Sequence, residues 1–343
     1  MRLRPGTHVL WRQEGSSQLH ADPDLAVVLD GLSGEEQRLL DGLERETSEA
    51  TFLARGRGLG VRAGRARELL ARLDACGALE RTRDPSLDHQ GLGAEVDHWS
   101  RVAQRDASDV VARRGRAVVA VLGLGRLGLL VASGLAAAGV GTLLVEDRAR
   151  VRRDDVGPGG YGLHDVGKER GERGRAVLRL TYPHLRTSAP ARTRPDVVVL
   201  VEQDVSDPVR LRPLVREDVV HLLVVTREVD VVVGPLVIPG AGPCGRCVEL
   251  HRTAADERWP AVATQLLGTP ARGVEACTCL LAAAVTVGQL VAHLDGEPVA
   301  VAGASLVVDA RRPVPRTQQW PVHPDCGCTG LPARSGAVPV ARA

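Results

Sequence analysis

Two close-set pairs of cysteines, with 78 residues between them, constrain this chain more than any other feature of its sequence. Cys244-Gly-Arg-Cys247 follows Gly242-Pro243, and Cys326-Gly-Cys328 follows His323-Pro324-Asp325, so each pair sits in a tight turn. Four thiolates arranged two and two suit a tetrahedral metal with no open position, which makes structural Zn²⁺ the expected occupant. Such a site would fasten the last part of the chain to its middle. The alternatives are two unrelated turns or a pair of disulfides, but Cys-x-x-Cys and Cys-x-Cys are too short for comfortable bonds within each pair. His323 is a further candidate to replace one thiolate. Seven cysteines, with no apolar signal at Met1-Arg2-Leu3-Arg4, lead to the expectation of a reducing cytoplasm.

The sequence separates into regions by composition. Residues 1–85 carry short β-type runs, His8 to Arg12 and Ala26 to Asp30, followed by helical patterns. Ser33-Gly34-Glu35-Glu36 ahead of Leu39, Leu40 and Leu43 is a capping box before an apolar stripe. A further helix is expected over Ala63–Ala75, with Leu69, Leu70 and Leu73 on one face and Gly77 just beyond. That order suggests a small winged-helix-like α+β module. A polar linker over 86–93 follows, then alternating strands and helices from residue 94. A variable loop is expected from His251 to Glu275, a long Ala-rich helix from Cys277 to Leu294, and a loose tail over 331–343. The most apolar stretch, Ala117 to Val145, is long enough to suggest a membrane span. It contains Arg126 and six glycines, however, and reads as strand, glycine turn, helix and strand. A net charge of +2 gives no bulk attraction to membrane or nucleic acid. Lys168 is the sole lysine and only seven residues are aromatic, so the core must be aliphatic.

The run Val118 to Leu122 leads into Gly123-Leu124-Gly125-Arg126-Leu127-Gly128, a helical run to Ala138, and a second strand Thr142 to Glu146 ending at Asp147. This is a strand, G-x-G-x-x-G, helix, strand and acid, with Asp147 19 residues after Gly128. Glycines permit the turn and the close approach of a pyrophosphate, the helix N-terminus offers N–H groups to phosphate, and the acid meets a ribose hydroxyl. Gly123, Gly125, Gly128 and Asp147 are therefore the candidate nucleotide-binding residues of a Rossmann-like domain. The same glycines also serve helix packing without any nucleotide.

The ordered set of glycine loop, acid, Asp165-Val166-Gly167 opening a helix, Pro183 ending it, Gly-Pro-Cys-x-x-Cys and a terminal cysteine pair resembles the ThiF/MoeB superfamily, the adenylating proteins related to ubiquitin-activating enzymes. The likeness covers roughly residues 94–328. It implies an α/β Rossmann-like domain, ATP and Mg²⁺ as cofactors, a peptide or small-protein carboxylate as substrate, a structural zinc held by Cys244, Cys247, Cys326 and Cys328, and pairing of subunits. The run Gly242 to Leu266 is similar to an actinobacterial branch grouped with cyclodehydratase partners of azoline-peptide pathways. That likeness implies that residues 1–85 recognise a leader peptide and that a YcaO-type enzyme is the partner.

Departures from the family pattern bear on the mechanism. The family's Asn-x-x-Arg-Gln falls on Asp155 to Gly159, so Pro158 and Gly159 stand where Arg and Gln would contact phosphate. The family's lysine falls on Arg170, with Lys168 nearby; its Mg-binding aspartate falls on Gln203, with Asp204 adjacent; its arginine donated across the dimer matches Arg101. Lys168, Asp204 and Arg101 are the candidates to compensate. Adenylyl transfer depends on cations to offset developing charge, so the expected function is binding and presenting a peptide, with a degenerate ATP site. An active adenylyltransferase is the alternative. A nicotinamide-linked oxidoreductase and a redox-sensing repressor, whose helix would use Arg62, Arg65, Arg67 and Arg72, also share the glycine loop. Cys277 and Cys279 open a helix, where a thiol pKa would fall, but two buried small residues at a helix start is the favoured reading. Cys76 reads as packing.

Overall fold

The computed structural model describes residues 1–44, 47–81, 86–87 and 90–329. The chain divides into two units, Met1–Ala112 and Arg113–Ala343. The tail expected over 331–343 lies outside the described residues, as do residues 88 and 89 of the expected linker.

In the first unit, β1 (Arg2–Leu3) pairs with β5 (Leu79–Glu80), and β2 (Val9–Gln13), β3 (Ser16–Leu19) and β4 (Val27–Asp30) form an antiparallel sheet in that order. The helix after β4 starts at the expected capping box: Ser33 Oγ accepts from Glu36 N, and Glu36 Oε2 accepts from Ser33 N at 3.1 Å. The helix Ala63–Ala75 has the expected bounds and buries Leu69, Leu70 and Leu73 against Leu19, Leu29, Leu39 and Phe52. Gly77, at φ +68, ends that segment, and a Cβ there would sit 2.4 Å from the Gln104 carbonyl carbon. This unit also includes the helix Gly93–Ala103 and most of Ser108–Arg114, beyond the module read over 1–85.

The second unit is built on seven strands in the order β12-β11-β10-β9-β8-β6-β7. These are β6 (Val118–Leu122), β7 (Thr142–Glu146), β8 (Val197–Gln203), β9 (His221–Thr226), β10 (Val231–Val237), β11 (Ala304–Asp309) and β12 (Arg312–Gln319). Strands β7, β6, β8 and β9 are parallel, and β10 to β12 add antiparallel pairs. The central strands are Val- and Leu-rich because both faces are covered, and every residue of β10 is buried. One face is packed by the helix Arg126–Ala137 and by Ala276–Asp295, which place Leu129, Val131, Leu135, Cys279, Ala282 and Leu290 in the main core. The stretch from Ala117 to Val145 is thus strand, helix and strand, as read. The helix Ala276–Asp295 is long and apolar enough to cross a membrane by length and composition; here its buried side chains belong to the core.

Two expectations are corrected. Asp165-Val166-Gly167 does not open a helix: Leu163–Asp165 is a 3-10 turn, Gly167 takes φ +88, and the helix runs Arg170–Thr181. The variable loop over 251–275 is largely helical, because the helix Gly245–Ala255 continues through His251 and Trp259–Leu266 forms another with Pro260 in its first turn.

Candidate functional site

The cavity of about 620 Å³ in the second unit opens at the carboxyl ends of β6, β7 and β8, where the strand order reverses and open α/β sheets bind ligands. Two of the three motif glycines are forced by close approach. Gly123, at φ +96, would place a Cβ 2.2 Å from the Val201 carbonyl oxygen, and a Cβ on Gly128 would sit 1.8 Å from the Gly123 oxygen. Gly125 is freer, its nearest neighbour being Asp155 Oδ1 at 3.4 Å, and it lines the cavity. Asp147 holds the loop in shape: Leu124 N donates to its Oδ2 at 2.7 Å and Ala149 N to its Oδ1 at 2.8 Å.

Arg170 organises the cavity wall. Its guanidinium donates to Asp155 Oδ2 at 2.7 and 2.9 Å and to Asp147 Oδ2 at 3.3 Å. Burial lowers its pKa, but the Asp155 and Asp147 carboxylates more than offset this and leave it raised. Tyr161 Oη lies 2.9 Å from the Leu124 oxygen and 3.0 Å from the Arg170 oxygen, joining the glycine loop to the next helix; burial raises its pKa. On the opposite side, Glu202 lines the cavity, accepts from Asp207 N at 3.1 Å, and lies 3.7 Å from Arg210. Burial pushes its pKa up to about 7.

The compensating candidates fall in different places. Gln203 lines the cavity; Asp204 does not, and is instead paired with Arg272, with Thr269 Oγ1 donating at 3.0 Å and Gln203 Nε2 at 3.1 Å. These bonds, with Arg272 N to Gln203 Oε1 at 2.6 Å and Arg152 to the Ala271 oxygen, strap residues 269–274 along the cavity edge. Lys168 is exposed and is not among the cavity residues. Arg101 belongs to the first unit, where it donates to the Pro5 oxygen.

The four cysteines converge. Their sulfurs lie within 4.8 Å of one another, with Cys244–Cys326 and Cys247–Cys328 at 3.5 Å and Cys244–Cys247 at 4.0 Å. A tetrahedron of about 2.3 Å metal–sulfur bonds has edges of about 3.8 Å, so the set fits a bound metal. His323 is not one of the set; its backbone N–H donates to Cys247 Sγ at 3.4 Å, the kind of contact that orients a ligand thiolate. The helix start at Cys277 and Cys279 is already capped, because Glu275 accepts from Thr278 N and Cys277 N, which holds its pKa at about 2. Cys279 is buried, which pushes its thiol up to about 11 and disfavours the thiolate. Cys76 is buried in the first-unit core.

In the first unit, a second cavity of about 760 Å³ lies between the end of β4 and the start of the helix Ala63–Ala75. Gly31, Ser33, Val61, Arg62 and Arg65 line it, and Arg65 is held by Glu36 at 3.0 Å and Glu68 at 2.8 Å. Among the described residues β4 pairs only with β3, so its outer edge carries unpaired backbone groups.

No protein-family model and no curated protein matches the sequence. Solved structures do. MccB of E. coli with ATP superposes with a TM-score of 0.63 at 15% identity, covering 95% of this chain and 98% of that one. The microcin C7 biosynthetic enzyme MccB with N-formylated MccA gives 0.65 at 14% identity, over 96% and 99%. PaaA gives 0.67 at 13% identity, over 92% and 98%. The fold is the one these MccB and PaaA structures share. The likeness extends through the first unit as well as the second.

Within this fold, the structure brings Gly123, Gly125, Asp147, Arg170 and Gln203 to one cavity, and Cys244, Cys247, Cys326 and Cys328 to one cluster. It adds Arg126, Asp155, Glu202 and Arg272, which sequence reasoning did not assign to the site. Asp155 and Arg272 gain their roles from partners 15 and 68 residues away, a separation no local pattern signals. Glu202 was legible only as the residue before Gln203.

Proposed function

We propose that this chain is a ThiF-type protein of a peptide-modification pathway, which binds a leader peptide and weakly holds an adenine nucleotide. The observation that carries this reading is the likeness to MccB across both units, together with solved complexes of MccB with ATP and with MccA. The peptide would add a strand to the open edge of β4 beside the helix Ala63–Ala75, since main-chain hydrogen bonds supply affinity and neighbouring pockets supply specificity. The nucleotide would lie over the glycine loop with its ribose toward Asp147 and its phosphates at the start of the helix Arg126–Ala137. Its Mg²⁺ would be met by Glu202, because Asp204 is occupied by Arg272. Zn²⁺ would be held by the four cysteines as a structural ion.

Adenylyl transfer would be slow, because Pro158 and Gly159 stand at the phosphate-contacting positions and Lys168 lies outside the cavity. The chain would then present its peptide to a partner enzyme, a YcaO-type cyclase, in a reducing cytoplasm. It would act as a homodimer, for which the exposed apolar face of Leu280, Ala284 and Gly288 offers a surface. An active adenylyltransferase is the second reading, and the buried carboxylate of Glu202 in the cavity favours it.

ATP–pyrophosphate exchange with a candidate precursor peptide separates the two. Measurable ATP binding with background exchange is expected. Robust exchange, lost in Glu202→Gln, would establish the active enzyme instead. NADH binding without ATP binding would overturn both readings.

A further inference from the structure

Five arginines line the second-unit cavity: Arg126, Arg148, Arg170, Arg210 and Arg272. Arg170 is paired with Asp147 and Asp155, Arg272 with Asp204, and Arg210 lies 3.7 Å from Glu202. Arg148 is exposed, so water solvates its charge. Arg126 differs from all four. It is half-buried, and its guanidinium touches only backbone oxygens: Nη2 donates to Val156 at 2.6 Å and Nη1 to Val274 at 3.3 Å. Its Nε is buried without a hydrogen-bond partner, and among the described residues no carboxylate lies within ion-pairing distance of it.

A guanidinium drawn partly out of water without a counter-charge is costly unless an anion joins it. Arg126 is also the first residue of the helix Arg126–Ala137, directly after Gly125, so its charge adds to the positive end of the helix dipole. It lies against the very loop that lacks the expected phosphate contacts: a Cβ on Gly157 would sit 3.3 Å from its Nε.

We propose that Arg126 is the phosphate-binding cation of this cavity, carried on the glycine loop itself instead of on the 155–159 segment. The inference rests on the nucleotide reading above and names the residue that meets the polyphosphate. The ligand class is a di- or triphosphate, taken by the fork of Arg126 together with the helix N–H groups. The competing role is a brace that merely joins residues 156 and 274.

Calorimetric titration of the full chain with ATP, adenosine and inorganic pyrophosphate, each with Mg²⁺, tests it in wild type, Arg126→Gln and Arg126→Lys. Wild type should prefer ATP to adenosine. Arg126→Gln should cut ATP affinity by about 10- to 100-fold, the range for a lost charged hydrogen bond, and leave adenosine binding unchanged. Arg126→Lys should restore much of the loss. An unchanged ATP-to-adenosine ratio in Arg126→Gln overturns the proposal, and so does an equal fall for both ligands, which marks a brace. If wild type binds pyrophosphate but neither ATP nor adenosine, and Arg126→Gln abolishes that binding, the anion site stands and the adenine-nucleotide reading falls. If wild type binds none of the three, both fall.

Discussion

Gly128 and Gly125 of the loop should respond differently to the same substitution, alanine. At Gly128 the added Cβ meets the Gly123 oxygen at 1.8 Å, against an ordinary contact of 3.4 Å or more. Relief requires the helix Arg126–Ala137 to move away by about 1.6 Å, yet its Leu127, Leu129, Val131 and Leu135 are packed with essentially no free space. Interiors resist such expansion, and a misfit beyond one methylene costs about 3 kcal/mol or more. For a unit of this size that lowers Tm by roughly 10 °C. At Gly125 the Cβ meets nothing closer than 3.4 Å, and its backbone lies at φ −60, so Gly125→Ala should cost under about 1 kcal/mol. It should still lower nucleotide affinity about tenfold, because a methyl group holds a pyrophosphate away from the N–H groups. Urea unfolding followed by far-UV circular dichroism, paired with ATP titration, reads both effects. If Gly128→Ala were as stable as Gly125→Ala, the close approach of the helix to the Gly123 oxygen would be refuted.

Two other outcomes follow from the structure. Glu202 is neutral when folded and ionised when unfolded between its usual 4.5 and about 7, so folding binds a proton and stability falls as pH rises through that window. The full shift is worth about 3 kcal/mol, and urea midpoints at pH 5 and 8 should show this slope flattened in Glu202→Gln. Cys244→Ser should abolish stoichiometric zinc and lower Tm by about 10 °C or more, since metal affinity in such sites is folding free energy; full stability with no metal by elemental analysis would reject the metal-site reading.

What the sequence disclosed was local. The helix Ala63–Ala75 was legible because its Leu69, Leu70 and Leu73 stripe and Gly77 are set by near neighbours. The glycine loop was legible because strand, turn and helix follow one another directly. Strand β3 was not, since Ser16 and Ser17 are polar and buried: Ser16 Oγ is 2.6 Å from Asp30 Oδ1, and Gln37 Nε2 donates to Ser17 Oγ at 3.1 Å. Those partners lie 14 and 20 residues away. The cavity shows the same division. Asp147 could be placed by spacing from Gly128, but the diversion of Asp204 to Arg272 depends on where a segment 68 residues later crosses the sheet. The adjacent position, Glu202, could not be preferred over Asp204 before that crossing was known.

The cysteine cluster has a topological consequence. Between Cys247 and Cys326 the chain runs through the helix Ala276–Asp295 and the hairpin β11–β12, so a metal on the four sulfurs closes these into a covalently continuous ring. Closing a loop of this length removes on the order of 4 kcal/mol of disorder from the unfolded chain, by analogy with disulfide cross-links. The ring also encloses the helix Ala276–Asp295, an 18-residue stretch of which has a mean hydropathy of 1.8. Should the sheet edge fray, that helix stays tethered at both ends and finds its own groove again before it meets another chain. Stripping the metal would therefore show first as aggregation on mild heating, ahead of any change in the parallel strands.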